Sequence, residues 1–399
     1  MRRLLQLIFF QIVLGILSIC LINWLPNKDQ LYSLVFICYY IISIIFIWYG
    51  SNKHITPFII FILTFGLFIG GRFFASLFGY DEPIFELNFF AQYNLHQDGK
   101  IHLMKYITGF LMFSCIGYLI SYIYYKDSPA RTTAMDISLE NINKVLTYCF
   151  FIISPFLIYN KISLLIETLA GGYLSLYMGQ TEEYASTALV NTIFLVLFGL
   201  TFSYGSKKNK RLYLLMYCIN VLFSIAMGSR GGLGAFMLFI LWMYSQKKYI
   251  SLKKIILSCV IGGVGLVIIS SFSIRMIDKD ILSATPIDVT YEFLYGQGVT
   301  LMVFDISQSI KSYPILPYFQ SLLPGIAVIS SLITGNIYHA YDVNFSTYLC
   351  YQTNPVLFYN GNGLGWSLLS DLYLYGFRSF VGFCILAFGF GNALGFLEK

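Results

Sequence analysis

The chain alternates long apolar runs with short polar breaks. An α-helix needs about 20 apolar residues to cross the ~30 Å hydrocarbon layer of a bilayer. Runs of about that length, almost free of charge, lie near residues 4–25, 32–50, 56–71, 103–125, 144–161, 187–205, 212–227, 232–246, 254–273 and 377–396. The pattern predicts an all-α polytopic membrane protein with about ten transmembrane helices. The first run follows Arg2-Arg3, is too long for a signal-peptide core, and has no small-x-small cleavage site after it, so it reads as a retained span. With no internal repeat and no low-complexity linker, residues 1–399 read as one integral membrane domain.

The polar breaks predict orientation. "SKKNKR" (206–211) and "QKKYISLKK" (246–254) are short, basic and free of acids. The positive-inside rule places both in the cytoplasm. Even spacing of spans then places the N-terminus, Lys53 and the 126–143 segment inside as well. Fifteen of the 19 acids fall outside on this topology. So do the long connections 72–102, 162–186 and 274–366, the last a large, partly helical loop inserted between spans. Within it, "YEFLYGQGVTLMVFDISQSI" (291–310) has helical apolar spacing. "SLLPGIAVISSLITG" (321–335) is apolar but too short to span, and is expected to dip into the membrane or lie on it. Loops of this length are often functional.

Composition agrees: 57% hydrophobic residues, 11% charged and a mean hydropathy of +0.72 exclude an ordinary soluble domain. The net charge of +6 reports topology here and does not point to nucleic acid. Cys350 alone of the eight cysteines falls in a predicted loop, and no CxxC pair exists, so neither a disulfide framework nor a metal site is expected. No Walker loop, dinucleotide fingerprint, HExxH or GxSxG is present. No cofactor is expected, and the energy for any chemistry must come from the substrate.

Candidate chemistry clusters at the outer ends of the spans. In "IAMGSRGGLGAFM" (225–237), Arg230 lies between two apolar runs. Ser229 is a natural N-cap for the inward-running helix after it, and Gly231 with its neighbours allows close backbone approach. A helix N-terminus beside a planar guanidinium suits an anion such as phosphate, although a snorkelling interfacial arginine has the same sequence appearance. Arg275 in "SFSIRMIDKD" and Arg72 in "IGGRFF" reach the same depth, and Arg378 in "LYGFRSF" is a further basic residue there. Each can equally be a span-end anchor. The acid and imidazole candidates lie on the large loop and just after it. Glu292 and Gln297 flank "YGQG". His339 and Asp342 are spaced to share a helical face. Asp371 follows Asn362 and the "NGNGLGWSLLS" stretch, in the first turns of a helix expected to start at Ser367. Taken singly, an outer-loop carboxylate is usually only solvated. His96 and His102 carry no further signal.

Three of these stretches taken in order, "GSRGGLGAF", "YEFLYGQGVTL" and "GNGLGWSLLSDLYLYGF", resemble the O-antigen polymerase (Wzy) family, over about residues 212–396. The resemblance implies a GT-C-like glycosyltransferase of the bacterial inner membrane. It would join oligosaccharide repeat units carried on undecaprenyl pyrophosphate at the periplasmic face, with a chain-length regulator and a flippase as implied partners. Relatives often carry Glu where this chain has Asp371, and often continue beyond the position where it ends, so it reads as a short or truncated form. Chemistry and pattern agree. A departing pyrophosphate needs fixed positive charge, here Arg230 and Arg275, and a sugar hydroxyl needs a general base drawn from Asp342, His339, Glu292 and Asp371. The rivals are an O-antigen ligase, which shares the donor, and a lipid-linked oligosaccharide flippase. A transporter would place charged or broken-helix features at mid-membrane, whereas here the unusual residues gather at the outer interface.

Overall fold

The computed structural model describes residues 2–51, 55–88, 90–125, 139–171, 182–204, 207–227, 231–247, 257, 286–323, 325–336 and 338–398. They form helices joined by turns. The β-contact among them is an isolated antiparallel bridge between Glu86 and Asn94. In chain order come α1 (Arg2–Trp24), α2 (Asp29–Gly50), α3 (Pro57–Phe68), α4 (Gly71–Leu77), α5 (Gln97–Tyr125), α6 (Leu139–Gly171), α7 (Glu182–Tyr204), α8 (Lys207–Ala226) and α9 (Gly231–Lys247). The short helices α10 (Pro286–Gln297), α11 (Thr300–Ser309), α12 (Leu316–Leu322), α13 (Ile326–Thr334), α14 (Ala340–Val343), α15 (Phe345–Thr353), α16 (Pro355–Tyr359) and α17 (Leu368–Tyr375) follow, and then α18 (Phe380–Leu397).

This is an all-α, multi-pass membrane protein. Among the described residues, α1, α2, α5, α6 and α18 are long and apolar enough to cross a bilayer. The run 56–71 is not one straight span. Its helix stops at Phe68, and α4 sets off at 60° to α3 after a two-residue break, so the bent pair counts as a sixth crossing if it forms one span. Apolarity continues through the bend, which is why the run shows no break. Shorter apolar stretches, Val190–Phe202 and Gly234–Ser245, occupy α7 and α9. The run 254–273 lies outside the described residues, apart from 257.

Helix α5 is the hub, the most buried of the long helices, packed against α1, α2 and α18. Glycines allow the closest approach. A Cβ at Gly117 would strike the Phe388 carbonyl, and one at Gly391 would strike the Ser114 carbonyl, while Gly395 sits on the Ser121 hydroxyl. Backbones this close maximise dispersion contact where lipid gives no hydrophobic drive for helices to associate. A second core joins Phe150 and Leu157 of α6, Phe194 and Phe198 of α7 and Tyr213 of α8.

The segment between α4 and α5 lies partly on the surface, with Asp81, Glu82 and Asn88 exposed, and partly turns inward. Ile84, Phe85, Leu87 and Phe90 are buried in the main core. Four elements hold it, through Arg72 of α4, Tyr295 of α10, Asp305 of α11 and Asn354 of the turn before α16. It joins the membrane bundle to the short helices that carry the candidate chemistry.

Candidate functional site

The first group of candidates forms around α4 and α10. Gly71 and Gly298 let the two helices touch backbone to backbone; a Cβ on either would overlap the other helix's main chain. Arg72 is 2% exposed. Its Nη1 donates to the carbonyls of Ile84 (2.8 Å) and Glu86 (2.5 Å), and the guanidinium lies over the Tyr295 ring, 4.2 Å from its centroid. The Tyr295 hydroxyl donates to the Pro83 carbonyl at 2.7 Å, and the Tyr291 hydroxyl to that of Phe78 at 3.0 Å. Burial pushes the Tyr295 phenol up to about 12, against the lowering pull of Arg72. Glu292 sits on the same helix beside Tyr80, whose phenol is raised by burial and then by that carboxylate. Gln297 ends α10 next to the Gly298 contact. Arg72, Glu292 and Gln297 are thus brought to one helix pair, with the Arg72 side chain turned into the 81–95 segment.

The second group surrounds Asp371. Ser367 caps α17 by accepting from the Leu369 amide at 3.2 Å, as its sequence position predicts, and Asp371 lies in the first turn. The Trp366 indole Nε1–H donates to Asp371 Oδ1 at 2.8 Å. Trp366 stacks on Phe345 with ring centroids 5.2 Å apart and planes 11° apart, and Tyr313 stands edge-on to both. Burial raises the Asp371 carboxyl above its ordinary range, and the indole bond opposes this. Arg378 donates Nη1–H to the Ile310 carbonyl at 2.8 Å, and its charge lowers the Tyr313 phenol against a larger rise from burial. Phe377 and Arg378 both hold left-handed backbone (φ 56° and 57°), unusual for side-chain-bearing residues. Asn362 stands in the turn leading to Trp366, its amide donating to the Leu357 carbonyl at 2.9 Å. The result is a partly buried carboxylate on an aromatic wall, with a cation one ring away.

His339 and Asp342 do not share a helical face, because His339 is the extended residue just before α14, but the His339 backbone reaches Asp342. The His339 amide donates to Asp342 Oδ2 at 3.3 Å, half of a capping box that starts α14. The exposed imidazole stacks on Tyr341 at 5.0 Å, and Tyr341 stacks on Tyr351 at 4.3 Å. This pair is separate from the Asp371 wall, yet α15 carries both Phe345, which meets Trp366, and Tyr351, which meets Tyr341.

The family model described as O-antigen polysaccharide polymerase Wzy matches residues 7–399, essentially the whole chain. The chain belongs to the Wzy family. No curated protein and no solved structure matches it. The Wzy match begins at residue 7, well before the stretches from about residue 212 that carried the resemblance. As a Wzy polymerase, the protein carries a polymerising glycosyltransferase-type activity of polysaccharide synthesis in a membrane.

One acid of this polymerase was missed by sequence reasoning. Asp305 on α11 is 7% exposed, and accepts the Tyr93 hydroxyl at Oδ2, 2.6 Å away. Burial pushes its carboxyl up to about 6, with the Tyr93 bond working against the rise. On the same helix, the Ser307 hydroxyl donates to that of Ser370 at 2.9 Å, which seats α11 against α17 one residue before Asp371. The signal was present: an isolated acid within the apolar run "LMVFDI". Of the other candidates, Ser229, Arg230 and Arg275 lie outside the described residues. Gly231 opens α9.

Proposed function

We propose that this Wzy-family chain builds O-antigen at the periplasmic face of the bacterial inner membrane. A growing oligosaccharide passes from its undecaprenyl-pyrophosphate carrier to the sugar end of a new lipid-linked unit, and undecaprenyl pyrophosphate leaves. The family match across residues 7–399 carries this reading. The positive-inside charge pattern supports the orientation. The architecture is taken to be GT-C-like with about ten spans, of which the described helices supply five, or six with the bent α3–α4 pair counted as one.

Within that reading, Asp371 is the general base for the acceptor hydroxyl. Its partial burial, its single-edge anchor on Trp366 and its aromatic wall support the role: a carboxylate raised above its ordinary range by burial and held in one orientation beside aromatic rings suited to a sugar. Arg230 and Arg275 hold the donor pyrophosphate, whose departing charge requires fixed cations. Arg72 acts by holding the 81–95 segment. Glu292, Gln297, Asn362, His339 and Asp342 are assigned to sugar hydrogen bonding. A chain-length regulator and a flippase are the expected partners.

The test is genetic. Deleting the gene leaves lipid A–core capped with a single repeat unit, and the native gene restores the polymer ladder. Absence of any repeat at the surface would instead favour a ligase or flippase. Asp371→Asn and Arg230→Ala each leave the single-repeat form; normal-length polymer from either removes that residue from its role.

A further inference from the structure

The hairpin formed by α12 and α13 has two unlike faces. One is tied to the Asp371 helix. The Tyr375 hydroxyl, four residues beyond Asp371 on α17, donates to the Tyr318 carbonyl at 2.6 Å, and the Ser321 and Tyr375 hydroxyls share a bond of 2.5 Å. Tyr318 also stands edge-on to Phe345 and Tyr375. The hairpin is closed by Gln320 Oε1, which accepts the Ala327 amide at 3.0 Å.

The other face is apolar and bare. Ile315, the residue before α12, and Phe319 and Leu322 within it recur at helical spacing, with Ile315 74% and Leu322 66% exposed. Leu332 and Ile333 of α13 are 81% and 79% exposed. From Ser312 to Tyr338 the sequence holds no Asp, Glu, Lys or Arg. A water-facing surface of this extent would carry charge. Both helices are too short to cross a bilayer, since nine residues of α13 rise only ~14 Å against ~30 Å of hydrocarbon. Helix α13 touches α7, whose apolar stretch Val190–Phe202 exposes Leu195, Val196 and Leu200 in turn. Helix α13 thus packs on a helix that itself bears bare apolar side chains.

We propose that the α12–α13 hairpin is a membrane-seated element whose bare face, Ile315 to Ile333, is covered by the acyl chains of bilayer lipid. Its charge-free sequence and its packing against the apolar helix α7 select lipid over water. The depth is that of an interfacial helix, with the apolar face ~5–10 Å into the headgroup–acyl boundary. Through Tyr318 and Ser321 the hairpin fixes α17 to the bilayer surface. Asp371 is thereby held at the level of lipid headgroups, whatever reaction it serves.

The full chain in phosphatidylcholine vesicles tests this. Phe319→Trp and Leu332→Trp each add one indole to the bare face, and subtracting the parent emission isolates it. Both added indoles are expected to be quenched severalfold more by brominated acyl chains than by aqueous iodide. Preferential quenching by iodide would overturn the proposal by placing the face in water. Shielding from both quenchers would overturn it too, because a second copy or another protein would then cover the face. Phe319→Trp keeps an aromatic ring in place, so it reports even if Leu332→Trp does not fold. Loss of polymerase activity moves neither outcome, so the proposed function and this one fail separately.

Discussion

Tyr93 and Asp305 stand 212 positions apart in the chain and 2.6 Å apart in space, joined by a hydrogen bond from phenol to buried carboxyl. Asp305 holds its proton up to about pH 6 in the folded chain, against an ordinary value of 3.8. The bond ties the 81–95 segment to α11, and α11 to the Asp371 helix through Ser307 and Ser370.

Stability should follow this carboxyl. The folded chain binds its proton more tightly than the unfolded chain. Its contribution is therefore full below about pH 4 and declines as pH rises through about 6. A shift of this size corresponds to about 3 kcal/mol. Asp305→Asn keeps an acceptor for Tyr93 and removes the titration. Thermal unfolding in detergent is expected to show the variant gaining on the native chain between pH 4 and 7. A constant difference across that range would refute the assignment. Tyr93→Phe deletes the donor and should cost about 1–3 kcal/mol above pH 6.

Arg72 carries the second tether. Its removal leaves the carbonyls of Ile84 and Glu86 without their donor and a void beneath Tyr295. Arg72→Met is expected to cost about 3 kcal/mol or more and to open the 81–95 segment to limited proteolysis. Tyr295→Phe retains the ring under the guanidinium and loses one bond, to Pro83, for about 1 kcal/mol. Near-native stability of Arg72→Met would free this arginine for a role in binding substrate.

The Trp366–Asp371 bond gives a pH signature for the proposed base. The indole donor favours the ionised carboxylate, opposing the rise from burial. Trp366→Phe keeps a ring against Phe345 but deletes the donor, so the carboxyl should rise further. If Asp371 acts as base, the acid limb of the polymerisation rate in vesicles moves to higher pH in this variant. The plateau above that limb falls less than in Asp371→Asn. An unmoved limb would make the indole bond purely structural.

The long elements were legible because each is a long apolar run; α1, α2, α5 and α18 all announce themselves this way. The bend between α3 and α4 was hidden because apolarity runs straight through Ile69 and Gly70. In the site, Ser367 and Asp371 were readable from local rules, since a cap and a first-turn acid depend on neighbours in sequence. The i, i+3 spacing of His339 and Asp342 read instead as a shared helical face, whereas His339 caps the helix from outside and meets Asp342 through its backbone. What could not be read were pairings over long separations. Arg72 looked like a span-end cation because nothing local shows that Tyr295, more than 200 residues away, lies across its face. The 72–102 connection read as an outer loop for the same reason: its acids mask Ile84, Phe85 and Leu87, which face the core.

Two glycines two residues apart on α10 and its end should respond in opposite directions. Gly296 has open space where a Cβ would go, and it sits inside a helix. Gly296→Ala should stabilise by about 0.5–1 kcal/mol by reducing backbone freedom in the unfolded chain. At Gly298 a Cβ would lie 2.5 Å from the Arg72 amide nitrogen and 2.6 Å from its Cγ. Gly298→Ala must therefore push α10 off α4, at a cost of about 1–3 kcal/mol or more. The displacement drags Tyr295 from the guanidinium, so the variant should also resemble Arg72→Met in its proteolysis at 81–95. Thermal unfolding of the two alanine variants side by side checks this. Equal and small effects would mean that α4 and α10 are not in backbone contact.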